Sequence, residues 1–397
     1  MTDVENYEAE STSQLENLPT EVLLQILAHI DDVHCLWNVI TSSPASFRVF
    51  SQYSADIFWQ SISESTITPQ TQDIIRFVIQ LRAGAHEETG LDETFRKIKD
   101  REAGIVLGKS EEAGYDFESR DASKVPSLSV LRSVLSTAAQ VHCLTRSCID
   151  HNLQQLIDAK ARGRLEWAPE DERARKPSWV EEQRVLRAFW RLQLIFELKV
   201  AVTTSRVRDT PGTSDRANDF DIQSFYDSSN SNLKVAYHEV MTAIEYVRHL
   251  KTRTRNSSGS ETYRLPQLAW PAKDIQPSSR RVPTSSAMRR SSLVLPADGL
   301  WIVDSMSRGA HSPIKYAGFE PYRALGFAIW DRHRLAELGL ASPPGHGRVT
   351  GLGSYFSYWL RLLDARDLAR AEEVMREVEN QGGRLGPLQP MIQDNAS

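Results

Sequence analysis

The sequence predicts a mainly α-helical protein: an N-terminal three-helix module followed by a larger helical domain with long flexible loops. Three observations carry that expectation. Apolar residues recur three and four apart along most of the chain, which is the spacing of one helix face. Helix-start signals stand where those faces begin, the clearest being Ser178 followed three residues later by Glu181, a capping box. No internal repeat occurs at a fixed spacing, which argues against leucine-rich, propeller or kelch arrays.

Residues 1–14 are polar and acidic without periodic apolar positions and read as a disordered tail. Order is expected to begin near Leu15, in a module spanning 15–62. There Val22, Leu23, Ile26, Leu27 and Ile30 form one helical face, with Pro19 in its first turn, where a missing N–H costs nothing. Asp31-Asp32 breaks the pattern, Leu36, Val39 and Ile40 form a second face, and Pro44 is expected to end it. Phe47, Phe50, Ile57, Phe58 and Trp59 supply bulk to close the unit. A helical domain over 63–250 follows, with faces at 71–81, 127–160, 178–198 and 233–250 and a polar loop over 204–230. Residues 251–298 read as a flexible basic insert, because 252–298 hold nine Ser and five Pro, with eight Lys or Arg against three acids. A C-terminal helical part is expected over 299–380: Leu300-Trp301-Ile302-Val303 as a short strand or buried turn, then helices over 322–340 and 354–380. Residues 381–397 read as a flexible tail.

Composition narrows the function classes. An apolar fraction of 40% and a charged fraction of 25% fit a folded protein with loose segments. A net charge of −5 offers no general attraction to nucleic acid or anionic lipid, so neither is an expected partner. No Lys or Arg precedes Arg48, which is the reverse of a secretory or mitochondrial signal, and no run approaches the roughly 18 apolar residues of a membrane span. A soluble protein of the cytoplasm or nucleus is expected. Three cysteines, Cys35, Cys143 and Cys148, make no disulfide framework and fit a reducing compartment.

Motifs of catalysis are near misses. Gly104-x-x-x-Gly108-Lys109-Ser110 is one residue short of a phosphate loop and follows charged residues instead of an apolar strand. His238-Glu239 opens like a metalloprotease helix, but Thr242 stands where the second histidine belongs. His142, Cys143, Cys148 and His151 lack the spacing of a structural zinc site and read as core-helix residues. No metal, cofactor or catalytic residue is assigned. Ser291 and Ser292, after Arg289-Arg290, are candidate phosphorylation sites.

Residues 18–62 resemble the F-box, the helical module that docks a Skp-type adaptor of cullin-based ubiquitin ligases. The resemblance runs through Leu18-Pro19-x-Glu21, Leu23, Ile26, Leu27 and Ile30 and ends on Ile57-Phe58-Trp59. Where the family commonly has a Val-Cys pair and then Trp, this chain has Val39, Ser42-Ser43 and then Phe47. With Ser42-Ser43-Pro44 before Phe47-Arg48-Val49-Phe50, and Leu325-Gly326-Phe327-Ala328-Ile329-Trp330-Asp331 near the C terminus, the chain also looks like a broad group of F-box-like proteins of filamentous fungi. The resemblance implies a non-enzymatic, substrate-recruiting subunit, with a Skp-type adaptor and an unknown protein substrate as partners. Leu18, Pro19, Leu23, Ile26, Leu27, Ile30, Leu36, Val39 and Trp59 are the expected module core and adaptor contact. Two other classes stay open: a scaffold whose hairpin packs internally, which predicts no free apolar patch around Leu18, Pro19 and Leu27; and an all-helical enzyme with a pocket lined by Trp190, Trp270, Trp301, Trp330 and Trp359.

Overall fold

A computed structural model describes residues 14–84, 91–103, 126–163, 176–203, 222–226, 230–256, 298–308, 312–343 and 355–381. Among them the regular structure is helical, with no strand. The chain divides into two compact units, one of Met1–Arg146, Leu186–Tyr237 and Ser258–Val294 and the other of Ser147–Val185, His238–Ser257 and Leu295–Ser397. The division falls within three long helices, and each unit takes its own segment of them.

The described part of the first unit opens on a 3-10 turn, Gln14–Asn17, and the expected helical module. Helices α1 (Thr20–Ala28) and α2 (Val33–Ser42) each pack on α3 (Pro44–Gln52), and α4 (Ser54–Glu64) closes against all three. The bulky residues expected to close the unit lie on two of these helices, Phe47 and Phe50 on α3 and Ile57, Phe58 and Trp59 on α4. Pro44 explains the first boundary: it ends α2 and occupies the first turn of α3, where the side chain of Ser43 accepts from the Ser46 N–H at 3.1 Å. Leu23, Leu27, Leu36, Phe50, Phe58 and Ile62 form the core of this bundle.

Helix α5 (Pro69–Ala83) buries Ile74, Ile75, Phe77, Val78, Ile79 and Leu81 together with the polar Gln70, Thr71 and Gln80, and ends at Gly84 in the left-handed conformation (φ 72°). Helix α6 (Leu91–Glu102) buries Thr94 and Ile98 and exposes Arg96, which pairs with Glu93 and Asp100 one turn away. Segments of α7 (Leu128–Ala161) and α8 (Trp179–Thr203), the short α9 (Ile222–Phe225) and the start of α10 (Ser231–Asn256) complete this unit.

The buried charged residues described inside it have polar partners. Arg191 and Glu102, both almost fully buried, pair at 2.7 Å. Arg187 donates to Gln70 Oε1 at 2.9 Å. Arg82 holds Glu197 at 2.6 Å and donates to Ser133 and Thr137.

The second unit is built around indoles. After α11 (Asp298–Met306) come α12 (Pro313–Ala317), α13 (Glu320–Arg323), α14 (Arg332–Glu337), α15 (Phe356–Leu362) and α16 (Ala365–Asn380), the last lying on α12. Three expectations are corrected here. Leu300–Val303, read as a strand or buried turn, lies in the helix α11. The helix expected over 322–340 is broken between α13 and α14, because Gly326 adopts φ 82° and the Trp330 ring lies where its Cβ would stand, 2.6 Å from Cε2. The helix expected over 354–380 is two helices, since Asp364 leaves the helical conformation to cap the Asp367 N–H at 2.8 Å.

Trp330 donates to the Leu325 carbonyl at 2.7 Å and Trp359 to that of Leu340 at 2.9 Å, so both buried indoles keep their N–H satisfied. Arg184 donates to the carbonyls of Ile329 and Trp330 at 2.8 Å. Glu181, fully buried, pairs with Arg334 at 2.7 Å and accepts from the Asp331 N–H. The capping box read in the sequence is present as two reciprocal bonds, Ser178 N–H to Glu181 Oε2 at 2.8 Å and Glu181 N–H to Ser178 Oγ at 3.3 Å.

Candidate docking interface

Helix α1 has two apolar faces and one bundle to bury them in. Leu23 and Leu27, one turn apart, are fully inside. Val22 and Ile26, also one turn apart and rotated by about 100° from that pair, are 39% and 38% exposed. They are two of the four large apolar side chains that the described residues expose, the others being Ile157 and Phe196. Leu18 and Ile30, four residues to either side, extend the row half-buried, and Pro19 is exposed beside it. Glu21, Gln25, His29 and Asp31 are exposed and give the row a polar, acidic rim.

The entry to α1 is fixed from outside the helix. The Pro19 carbonyl accepts from the N–H groups of Val22 (3.1 Å) and Leu23 (3.0 Å), with no side-chain cap. Glu16, in the preceding turn, reaches α3 instead: one carboxylate oxygen accepts from Ser43 Oγ at 2.6 Å and the other from the Ala45 N–H at 3.0 Å. A carboxylate at the positive end of a helix is stabilised by unpaired N–H groups, and this one ties the turn before Leu18-Pro19 to the start of α3.

The nine expected contact residues therefore divide. Leu23, Leu27 and Leu36 are core. Pro19 and Ile26 are exposed, and Leu18, Ile30, Val39 and Trp59 are half-buried, Trp59 edge-on to the buried Phe58 at 5.1 Å. Val22 was absent from that set, although its place four residues from Leu18 and from Ile26 was visible in the sequence. Glu16 had no such signal, because its partners lie 27 and 29 residues away.

No family model, curated protein or solved structure matches the chain. The site rests on its own geometry.

Other candidates are placed as follows. His142 stacks on His34 of α2 (centroids 4.4 Å apart, planes 7° apart), and His151 packs on His249 with the planes tilted by 30°, so the two histidines of the Cys/His group turn to different partners. Cys148 is buried, and burial pushes its thiol well above the usual range. Cys35 is pushed up to about 11, by the packing on its inner side and then by the Asp32 carboxylate. Asp32 caps α2, accepting from the His34 N–H at 2.8 Å, so Asp31-Asp32 does form the turn between helices. Trp190, Trp330 and Trp359 are core residues. Gly104–Ser110, Trp270, Ser291 and Ser292 lie outside the described residues.

Proposed function

We propose that the chain is a non-catalytic recruiting subunit that docks a Skp-type adaptor through its N-terminal module, with the row Leu18, Val22, Ile26 and Ile30 and the adjacent Pro19 as the contact. The observation that carries the reading is the exposed Val22–Ile26 pair on a helix whose other apolar face is already filled by Leu23 and Leu27. An apolar row rimmed by polar residues is what a helix-in-groove partner buries.

Magnitudes set the scope of the contact. Burying a whole Val or Ile side chain is worth roughly 1.5–3 kcal/mol, so covering what remains exposed of these two contributes on the order of 1 kcal/mol each. Micromolar affinity needs about 8 kcal/mol, so the contact extends past α1, with Val39 and Trp59 as the half-exposed residues nearest in type to the F-box pattern. The scaffold alternative expects no free apolar patch around Leu18, Pro19 and Leu27; Leu27 is buried as it expects, whereas Pro19 is exposed beside the Val22–Ile26 pair, which favours docking.

The test is co-purification of the adaptor with the wild type and with Val22→Asp/Ile26→Asp, with helicity and melting temperature measured on both. Retention by the wild type and loss by a variant that melts within a few degrees of it supports the reading. A wild type that never retains the adaptor leaves the module a structural hairpin. Leu27→Ala is unsuited to this test, because truncating a buried residue destabilises the bundle whether or not it touches a partner.

A further inference from the structure

At the first turn of α2 three potential metal ligands of different chemistry converge. Asp32, His34 and Cys35 each present one donor atom, and these atoms all lie within 4.8 Å of one another. The Asp32 Oδ2 to Cys35 Sγ distance is 3.6 Å. Zinc binds thiolate at about 2.3 Å and carboxylate oxygen at about 2.0–2.2 Å, which makes the sulfur-to-oxygen edge of a tetrahedral centre about 3.5 Å. The edge is already formed.

We propose that Asp32, His34 and Cys35 form a binding site for a borderline-soft divalent cation of the zinc class, with solvent in the fourth position. The imidazole is held for this role from two sides. Its Nε2 lies 3.2 Å from the Asn38 side-chain amide, which on turning over presents Oδ1 to Nε2–H and leaves the Nδ1 lone pair for the cation, and its face is covered by the parallel ring of His142. Such outer contacts orient a ligating histidine and fix which nitrogen is free. Asp32 keeps its capping bond through Oδ1, so Oδ2 binds without unwinding the helix. The positive end of α2 opposes a cation with roughly half an elementary charge, whereas Asp31, Asp32 and the bound thiolate supply three negative ones. On binding, the S–H bond of Cys35 is replaced by a sulfur–metal bond and the thiol proton passes to solvent. The mixed thiolate, imidazole and carboxylate set selects against magnesium and calcium, which take oxygen ligands.

The site stands independently of adaptor docking and is tested with Co²⁺ on the full chain under reducing conditions, following thiolate-to-cobalt charge-transfer absorption. One equivalent is expected, displaced by Zn²⁺, and Zn²⁺ is expected to raise the melting temperature. Cys35→Ser abolishes the band while Cys143→Ser keeps it. Asp32→Asn, which retains a capping oxygen and so keeps the fold, weakens cobalt binding at least about ten-fold, as does Asn38→Ala. Absence of the band in the wild type at saturating cobalt overturns the proposal, and so does a band that survives Cys35→Ser.

Discussion

Helices α1 and α8 solve opposite problems. Helix α1 is short, carries more apolar surface than its bundle can cover, and leaves Val22 and Ile26 at the surface. In the first unit α8 buries Arg187 and Arg191 almost completely and matches each with a partner on another helix, Gln70 and Glu102. Surplus apolar surface at an edge is cheap to keep and available to a partner. Buried charge is the reverse, because each ion is held only while its counterpart is present, so these positions fix which helices pair. The apolar row of α1 faces outward, whereas the buried pairs of α8 fix the packing within the unit.

The contrast is broken most severely at the ion pair. Glu102→Ala leaves the Arg191 guanidinium buried without its counterion and is expected to cost about 3–5 kcal/mol, measured by denaturant unfolding. Replacing both partners with apolar residues of similar size, Glu102→Leu with Arg191→Met, is expected to recover most of that loss. A double variant no more stable than the single one would mean that Arg191 serves some purpose beyond its pair.

Next in size is the inner face of α1. Leu27→Ala is expected to cost about 2–5 kcal/mol because a fully buried side chain leaves a cavity. Ile26→Ala, one residue along, is expected to change stability by no more than about 0.5 kcal/mol while weakening adaptor retention. Equal destabilisation by the two would mean that Ile26 is packed in solution and α1 has no free face.

How far each region could be read in advance follows the same division. The amphipathic faces of α1, α2, α5, α7, α8 and α10 were legible, because burial of one face imposes a period on the sequence. The capping box at Ser178 and Glu181 was legible because both partners sit within one turn. The second role of Glu181, buried against Arg334, was not, since the partners are 153 residues apart and charged residues on a helix ordinarily read as solvated. The breaks at Gly326 and Asp364 were missed because apolar spacing continues across them: Trp330 still reaches the core, but by folding back over a glycine. Leu300–Val303 shows the limit of short apolar runs, which a strand and a buried helix share. The candidate interface was legible as a set of residues but not as a surface, because the period that marks Leu23 and Leu27 for the core also includes Val22 and Ile26.

The smallest expected effect tests how that surface is held. Glu16→Ala removes a carboxylate that accepts from Ser43 Oγ and the Ala45 N–H but leaves Ser43 capping α3 through Ser46, so the stability cost is expected to be about 1 kcal/mol, read as a small fall in melting temperature. Its effect on docking is expected to be larger than its effect on folding. Without Glu16 the turn over 14–17 is no longer tied to α3, and Leu18 and Pro19 must be ordered when the partner binds, which lowers affinity several-fold through the entropy of fixing those residues. Titration calorimetry of the adaptor against wild type and Glu16→Ala separates the two. An unchanged affinity beside a lowered melting temperature would restrict the contact to Val22, Ile26 and Ile30 and remove Leu18 and Pro19 from it.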